Sequence, residues 1–161
     1  SLVLIKMALI HAFKKSVSGI IILPLCKIAL LNRISLLDIQ PIKFLLIYIS
    51  SHIFMGMFAM FMASFVPKMS KVRQVFIRTL LPLWMFSGVE YPLNIIRSVA
   101  PSVAKINLLN PLLYVYEGLR SATLNPSEYL PFWTCFFALW GFIVAFAVIG
   151  IWKHKKRLDC I

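Results

Sequence analysis

An all-α, polytopic transmembrane helix bundle is the fold class this sequence predicts, and three observations predict it. The 161 residues are 61% hydrophobic and 14% charged, with a mean hydropathy of +0.89; soluble domains are about half apolar and about a quarter charged. The apolar residues gather into blocks long enough to cross a bilayer. The basic residues gather at the ends of those blocks, where determinants of membrane topology sit. The net charge of +12 is therefore no sign of a nucleic-acid partner.

Four spans are expected, at about 10–31, 42–66, 75–91 and 129–152. The first is purest over Ser16–Leu31, where Pro24 should kink it. The second ends at Pro67, and the third is interrupted by Pro82. The fourth reaches about 36 Å at about 1.5 Å per residue, enough for a tilted crossing. Tyr129, Trp133 and Trp152 bracket it as an aromatic belt would. The run Lys153-His154-Lys155-Lys156-Arg157 follows, so the positive-inside rule makes 153–161 a cytoplasmic tail. Changing sides at each crossing then puts 92–128 outside. The turn with Lys68, Lys71 and Arg73 falls inside, as do Lys6, Lys14 and Lys15. On the outer side Arg33, Lys43, Arg97, Lys105 and Arg120 are offset by Asp38, Glu90, Glu117 and Glu128, so the parity is self-consistent. Lys27 and Arg78, near span ends, are expected to snorkel to the interface.

The outer segment 92–128 is mostly apolar and too long for a turn. Irregular backbone near membrane depth is tolerated where protein buries it or where it lines a wet cavity. Two short interfacial or re-entrant helices are therefore expected. One lies at about Leu93–Ser98; the other begins at Pro111, with Asn110 as its N-cap, and runs to about Leu124. In the second helix Glu117 and Arg120 lie one turn apart on the same side. Two readings stay open: an ion pair that makes an interfacial helix tolerable, or a polar lining at the outer mouth of a path.

Other chemistry is excluded by what the chain lacks. Cys26, Cys135 and Cys160 are isolated and have no metal-ligand spacing. His11, His52 and His154 have no partners at catalytic or metal spacing; His52, beside Ser50 and Ser51, is either hydrogen-bonded within the bundle or a proton relay. There is no Gly-rich phosphate loop, no Ser/His/Asp set, no HExxH and no pair of catalytic carboxylates. No catalytic residue, metal ligand or resident cofactor is expected. The chain opens on Ser1, almost directly into apolar sequence and without a signal-peptide pattern, so a fragment or truncated product of a larger membrane domain is expected.

One arrangement carries a resemblance. "FSGVEYPL" at Phe86–Leu93 closes a span, and a short apolar outer stretch leads to "LLNPLLYVYEGLRSATL" at Leu108–Leu124. A last span with a basic tail follows, and "FVPKMSKV" at Phe65–Val72 precedes the set. This order resembles the C-terminal part of type-2 ATP-binding-cassette (ABC) export permeases, above all subunits exporting capsular polysaccharide, O-antigen and teichoic acid. Glu90 departs from it, standing where the family usually has an apolar or aromatic residue.

The resemblance implies that residues 1–161 are part of a membrane domain that has six spans when complete. It implies export of a polysaccharide or lipid-linked glycan across the plasma (inner) membrane, with a cytoplasmic C-terminus. ATP-Mg would be hydrolysed in a separate ATPase subunit, and a second permease copy would complete the path. Glu117, Arg120, Glu90, Tyr114 and Tyr116 are then the transport-path candidates, and Lys68, Lys71 and Arg73 the ATPase-contact candidates. Two alternatives stay open: a drug or lipid exporter of the same superfamily, and an inactive truncated permease.

Overall fold

The computed structural model describes residues 40–66, 69–124 and 126–158, with the isolated helical positions 6, 10, 13 and 14. Apart from those positions, the expected first span lies outside the described residues. Every described element is a helix: α1 (Pro41–Phe65), α2 (Met69–Met85), α3 (Leu93–Val99), α4 (Pro101–Asn107), α5 (Pro111–Thr123), a 3-10 turn (Pro126–Glu128) and α6 (Phe132–Leu158).

Proline sets most of the boundaries. Pro41, Pro101 and Pro111 each occupy the first turn of a helix, where the missing N–H costs nothing. Val66, the residue before Pro67, is extended and ends α1. Within α2, Pro82 removes the donor that Arg78 would otherwise meet, and the helix stops one turn later. Phe86 N–H donates to Pro82 and Ser87 N–H to Trp84, and Gly88 follows at φ 77°. A side chain there would strain the backbone and press on Leu113 Cδ1 at 3.0 Å.

Among the described residues two helices, Pro41–Phe65 and Phe132–Lys155 within α6, are long and apolar enough to cross a membrane. The expected count of four is not reproduced. The third expected span, 75–91, is replaced by α2, which begins earlier, ends at Met85 and has 17 residues. Proline and the Ser87-Gly88 turn cut it short, and Lys71, Arg73 and Arg78 lower its apolarity. Helix α6 also continues through the basic cluster, so the stretch expected as a cytoplasmic tail is helical as far as Leu158. Cations favour the C-terminal end of a helix dipole, so this run supports helix there.

The long helices α1 and α6 are parallel, as the order of their contacts shows. Lys43 sits over the Phe132 ring at 5.7 Å, and Trp140 Nε1 donates to Ser50 Oγ at 3.1 Å. Phe61 stacks on Phe146 at 4.7 Å, and Lys153 lies over Phe65 at 4.6 Å. The end of α1 and the start of α6 are therefore at opposite ends of the pair, and the intervening chain must travel back. Helix α2 begins the return: Phe76 meets Phe58, Leu83 O of its last turn meets Asn110 at the start of α5, and the turn after it reaches Arg120 near the end of α5. Gln40 N–H, bonded to Ala122 O at 2.9 Å, ties α1's start to α5's end.

Helix α5 is wedged between the two long helices. A Cβ on Gly118 would stand 2.8 Å from Ile47 Cδ1 and 3.3 Å from Cys135 Cβ, so only glycine allows this approach. The main core joins Ile47, Phe54 and Phe58 of α1 with Leu112 and Val115 of α5 and Leu139 and Ile143 of α6. A smaller core of Leu93, Ala104 and Leu113 seats α3 and α4 on α5.

Outside this core the usual order is reversed. Ile42, Leu45 and Ile49 of α1, and Trp133, Phe137, Val144, Val148 and Trp152 of α6, are exposed. Ser50, Ser64, Ser87, Asn107, Asn110, Glu117 and Ser121 are buried. Apolar patches of this extent are foreign to soluble monomers and natural against lipid.

Candidate functional site

The polar centre of the molecule lies where α2 ends, α3 begins and α6 begins, and α5 supplies its side chains. Asn110 works first. Its Oδ1 accepts from Leu112 N–H at 3.0 Å, which caps α5, while its Nδ2 donates to Leu83 O of α2 at 2.6 Å. One amide thus starts α5 and ties it to the last turn of α2.

Glu117 lies about two turns further on and is 0% exposed. Its Oε1 accepts from Leu93 N–H at 3.1 Å, at the start of α3, and from Arg120 Nη1 at 3.4 Å. Its Oε2 accepts from Leu130 N–H at 3.3 Å, just before α6. Arg120 completes the cluster by donating to Gly88 O at 2.5 Å and Val89 O at 2.7 Å. These carbonyls lie beyond the end of α2, where no intrahelical donor reaches them. The pair therefore fastens three chain segments, separated in sequence, onto α5.

The energetics follow from burial. A buried carboxylate is tolerable when donors meet both oxygens, as they do here. Removing it would strand two main-chain N–H groups and a guanidinium, each short of an acceptor. Spacing alone shows Glu117 and Arg120 on one side of a helix; the structure adds that both reach outward to backbone, for which spacing has no signature.

The other transport-path candidates do not join them. Tyr114 donates its OH to Leu108 O at 2.7 Å, and its ring lies 6.1 Å from Phe142. Burial pushes its phenol above the usual range, which keeps the donor proton in place. Tyr116 packs half-buried against the main core, and Glu90 is exposed. Of the ATPase-contact candidates, Lys68 lies outside the described residues. Lys71 and Arg73 are exposed near the start of α2, at the end of the bundle that also carries Lys153 and Lys155. No group of three or more metal-ligating side chains occurs among the described residues.

A cleft adjoins the clamp that sequence reading missed. It encloses about 280 Å³ between α3, with Asn94 and Arg97, and the stretch 127–131, with Glu128 and Tyr129, and Glu117 is at its base. Its walls come from segments thirty residues apart, and no periodicity links them.

The family model for ABC-2 type transporters matches residues 4–124, which include α1 to α5 and the whole of the Asn110–Glu117–Arg120 cluster. No curated protein and no solved structure matches the chain.

Proposed function

The chain belongs to the ABC-2 type transporter family, and on that premise we propose that it is the membrane subunit of an ATP-driven exporter of a polysaccharide or lipid-linked glycan. Membership itself makes it a membrane-embedded transport subunit, and ATP hydrolysis is assigned to a separate partner. The cargo and the outward direction are supported by the resemblance of Phe86–Leu93 and Leu108–Leu124 to glycan-exporting permeases.

The parallel pairing of α1 and α6 is the observation that carries the membrane arrangement. Two parallel spans need a return between them, and α2 with the turn after it is the segment that makes the return. With a first span before α1, this gives four crossings and keeps Lys71, Arg73, Lys153 and Lys155 on the cytoplasmic side of the plasma membrane. The segment 92–128 is then the outer cap. Lys71 and Arg73 face the ATPase subunit, and a second copy of the chain completes the path.

In this arrangement Glu117 and Arg120 do not touch cargo directly. Glu117 is fully buried, and its acceptors are occupied by main-chain and guanidinium donors. Their role is to hold α3, α5 and the start of α6 as one outer cap. ATP binding in the partner can then move that cap as a unit between two states.

Co-expression of the chain in its natural full-length context with the ATPase subunit tests the reading. We expect co-purification, a change in ATPase rate on association, and loss of surface glycan when the gene is deleted. Failure of every nucleotide-binding subunit to associate would overturn the transporter reading. Normal surface glycan in the deletion strain would overturn the cargo alone.

A further inference from the structure

We propose that the cleft between α3 and the 127–131 stretch binds a zwitterionic headgroup of the phosphoethanolamine type. Arg97 stands on one wall and Glu128 on the other; both are exposed, and no ion pair joins them or occupies either among the described residues. Opposite charges facing one space, neither with an ion-pair partner among the described residues, match a ligand that carries an anion and a cation a few atoms apart. A phosphate takes two guanidinium N–H donors from Arg97. A primary ammonium donates to the Glu128 carboxylate and lies beside the Tyr129 ring. A quaternary ammonium is the poorer fit, because it has no N–H to donate and a single aromatic ring is no cage.

Size and rigidity agree. The cleft's 280 Å³ lies just below the roughly 300–1,000 Å³ of sites for drug-sized ligands, so it suits a headgroup and not a sugar chain. Its walls are pinned at the base by one side chain, since Glu117 accepts from Leu93 N–H on one wall and Leu130 N–H on the other. Glu117 is thus a positioning residue for this site. The zwitterion chemistry depends on the cleft alone. A lipid as its source depends on the proposed orientation, which sets Tyr129 and the start of α6 at the outer interface.

The test uses the whole chain in detergent, with binding read by titration of three probes. These are dihexanoyl phosphatidylethanolamine, soluble phosphoethanolamine and dihexanoyl phosphatidylglycerol. We expect the ethanolamine lipid to bind tighter than the glycerol lipid. Arg97→Gln and Glu128→Gln, both at exposed positions that leave the fold intact by circular dichroism, should each weaken it about tenfold, as expected for a lost charge-assisted hydrogen bond. The glycerol lipid should respond to Arg97→Gln and ignore Glu128→Gln. Equal affinity of soluble phosphoethanolamine and the lipid would keep the zwitterion site and overturn the lipid source. Binding unchanged in both variants, or a preference for the glycerol lipid, would overturn the site. Neither result bears on association with an ATPase, so the two proposals fail separately.

Discussion

Glu117 accepts from two main-chain N–H groups and the Arg120 guanidinium, so its loss reaches three parts of the outer cap at once. Glu117→Ala leaves Leu93 N–H, Leu130 N–H and Arg120 without their acceptor, and should destabilise the fold by about 3–5 kcal/mol, the cost of breaking a buried charged pair. Glu117→Gln keeps one carbonyl oxygen but turns an NH2 toward a donor, so it should cost about half as much. Unfolding midpoints of the two variants in detergent check the order, and equal midpoints for both and the parent would remove the clamp from the account. Gly118 makes a second prediction. Gly118→Ala presses on Ile47 and should cost about 1–3 kcal/mol by overpacking, while adding Ile47→Val should recover part of it. Additive effects in the double variant would contradict the close packing of α5 on α1. The sequence exposed the Glu117–Arg120 pairing through helical spacing. It could not expose Gly88, Val89, Leu93 and Leu130 as partners, because main-chain donors and acceptors have no residue signature.

At the scale of elements, the helices legible in advance were those with a local stop or start. α5 was expected from Pro111 with Asn110 as cap to about Leu124, and it spans Pro111–Thr123 with that cap bond formed. α3 was expected at about Leu93–Ser98 and spans Leu93–Val99. α4 has no counterpart among the expected elements, although Pro101 marks its first turn. α2 differs from the expected 75–91 at both ends: it begins at Met69, and Pro82, Ser87 and Gly88 end it at Met85 although apolar residues continue beyond. The parallel arrangement of α1 and α6 gives a prediction here. Cysteines at Phe61 and Gly150 should oxidise to a disulfide, since a Cβ at Gly150 would lie 3.4 Å from Phe61 Cα. A pair at Lys43 and Gly150 should not, and cross-linking of the second pair in place of the first would mean that the helices are antiparallel.

For the whole molecule, the sequence made the membrane class plain because hydropathy is a sum over many residues and tolerates local error. The span count did not share that robustness: it turned on α2, whose length and charge put it on the borderline of a crossing. Parallel α1 and α6 supply what composition could not, a geometric need for the chain between them to return. In the proposed arrangement the cap of α3 to α5, held by Glu117 and Arg120, faces outward while the basic ends of α2 and α6 face the cytoplasm. Single cysteines at Glu90 and at Lys155, tested in intact cells with a membrane-impermeant maleimide, examine it most directly. Both positions are exposed, and Cys135 is buried; a variant with Cys26 and Cys160 replaced by serine gives a clean background. The cysteine at Glu90 should label in intact cells and the one at Lys155 only after permeabilisation. Labelling of both from outside, or in the reverse order, would contradict it.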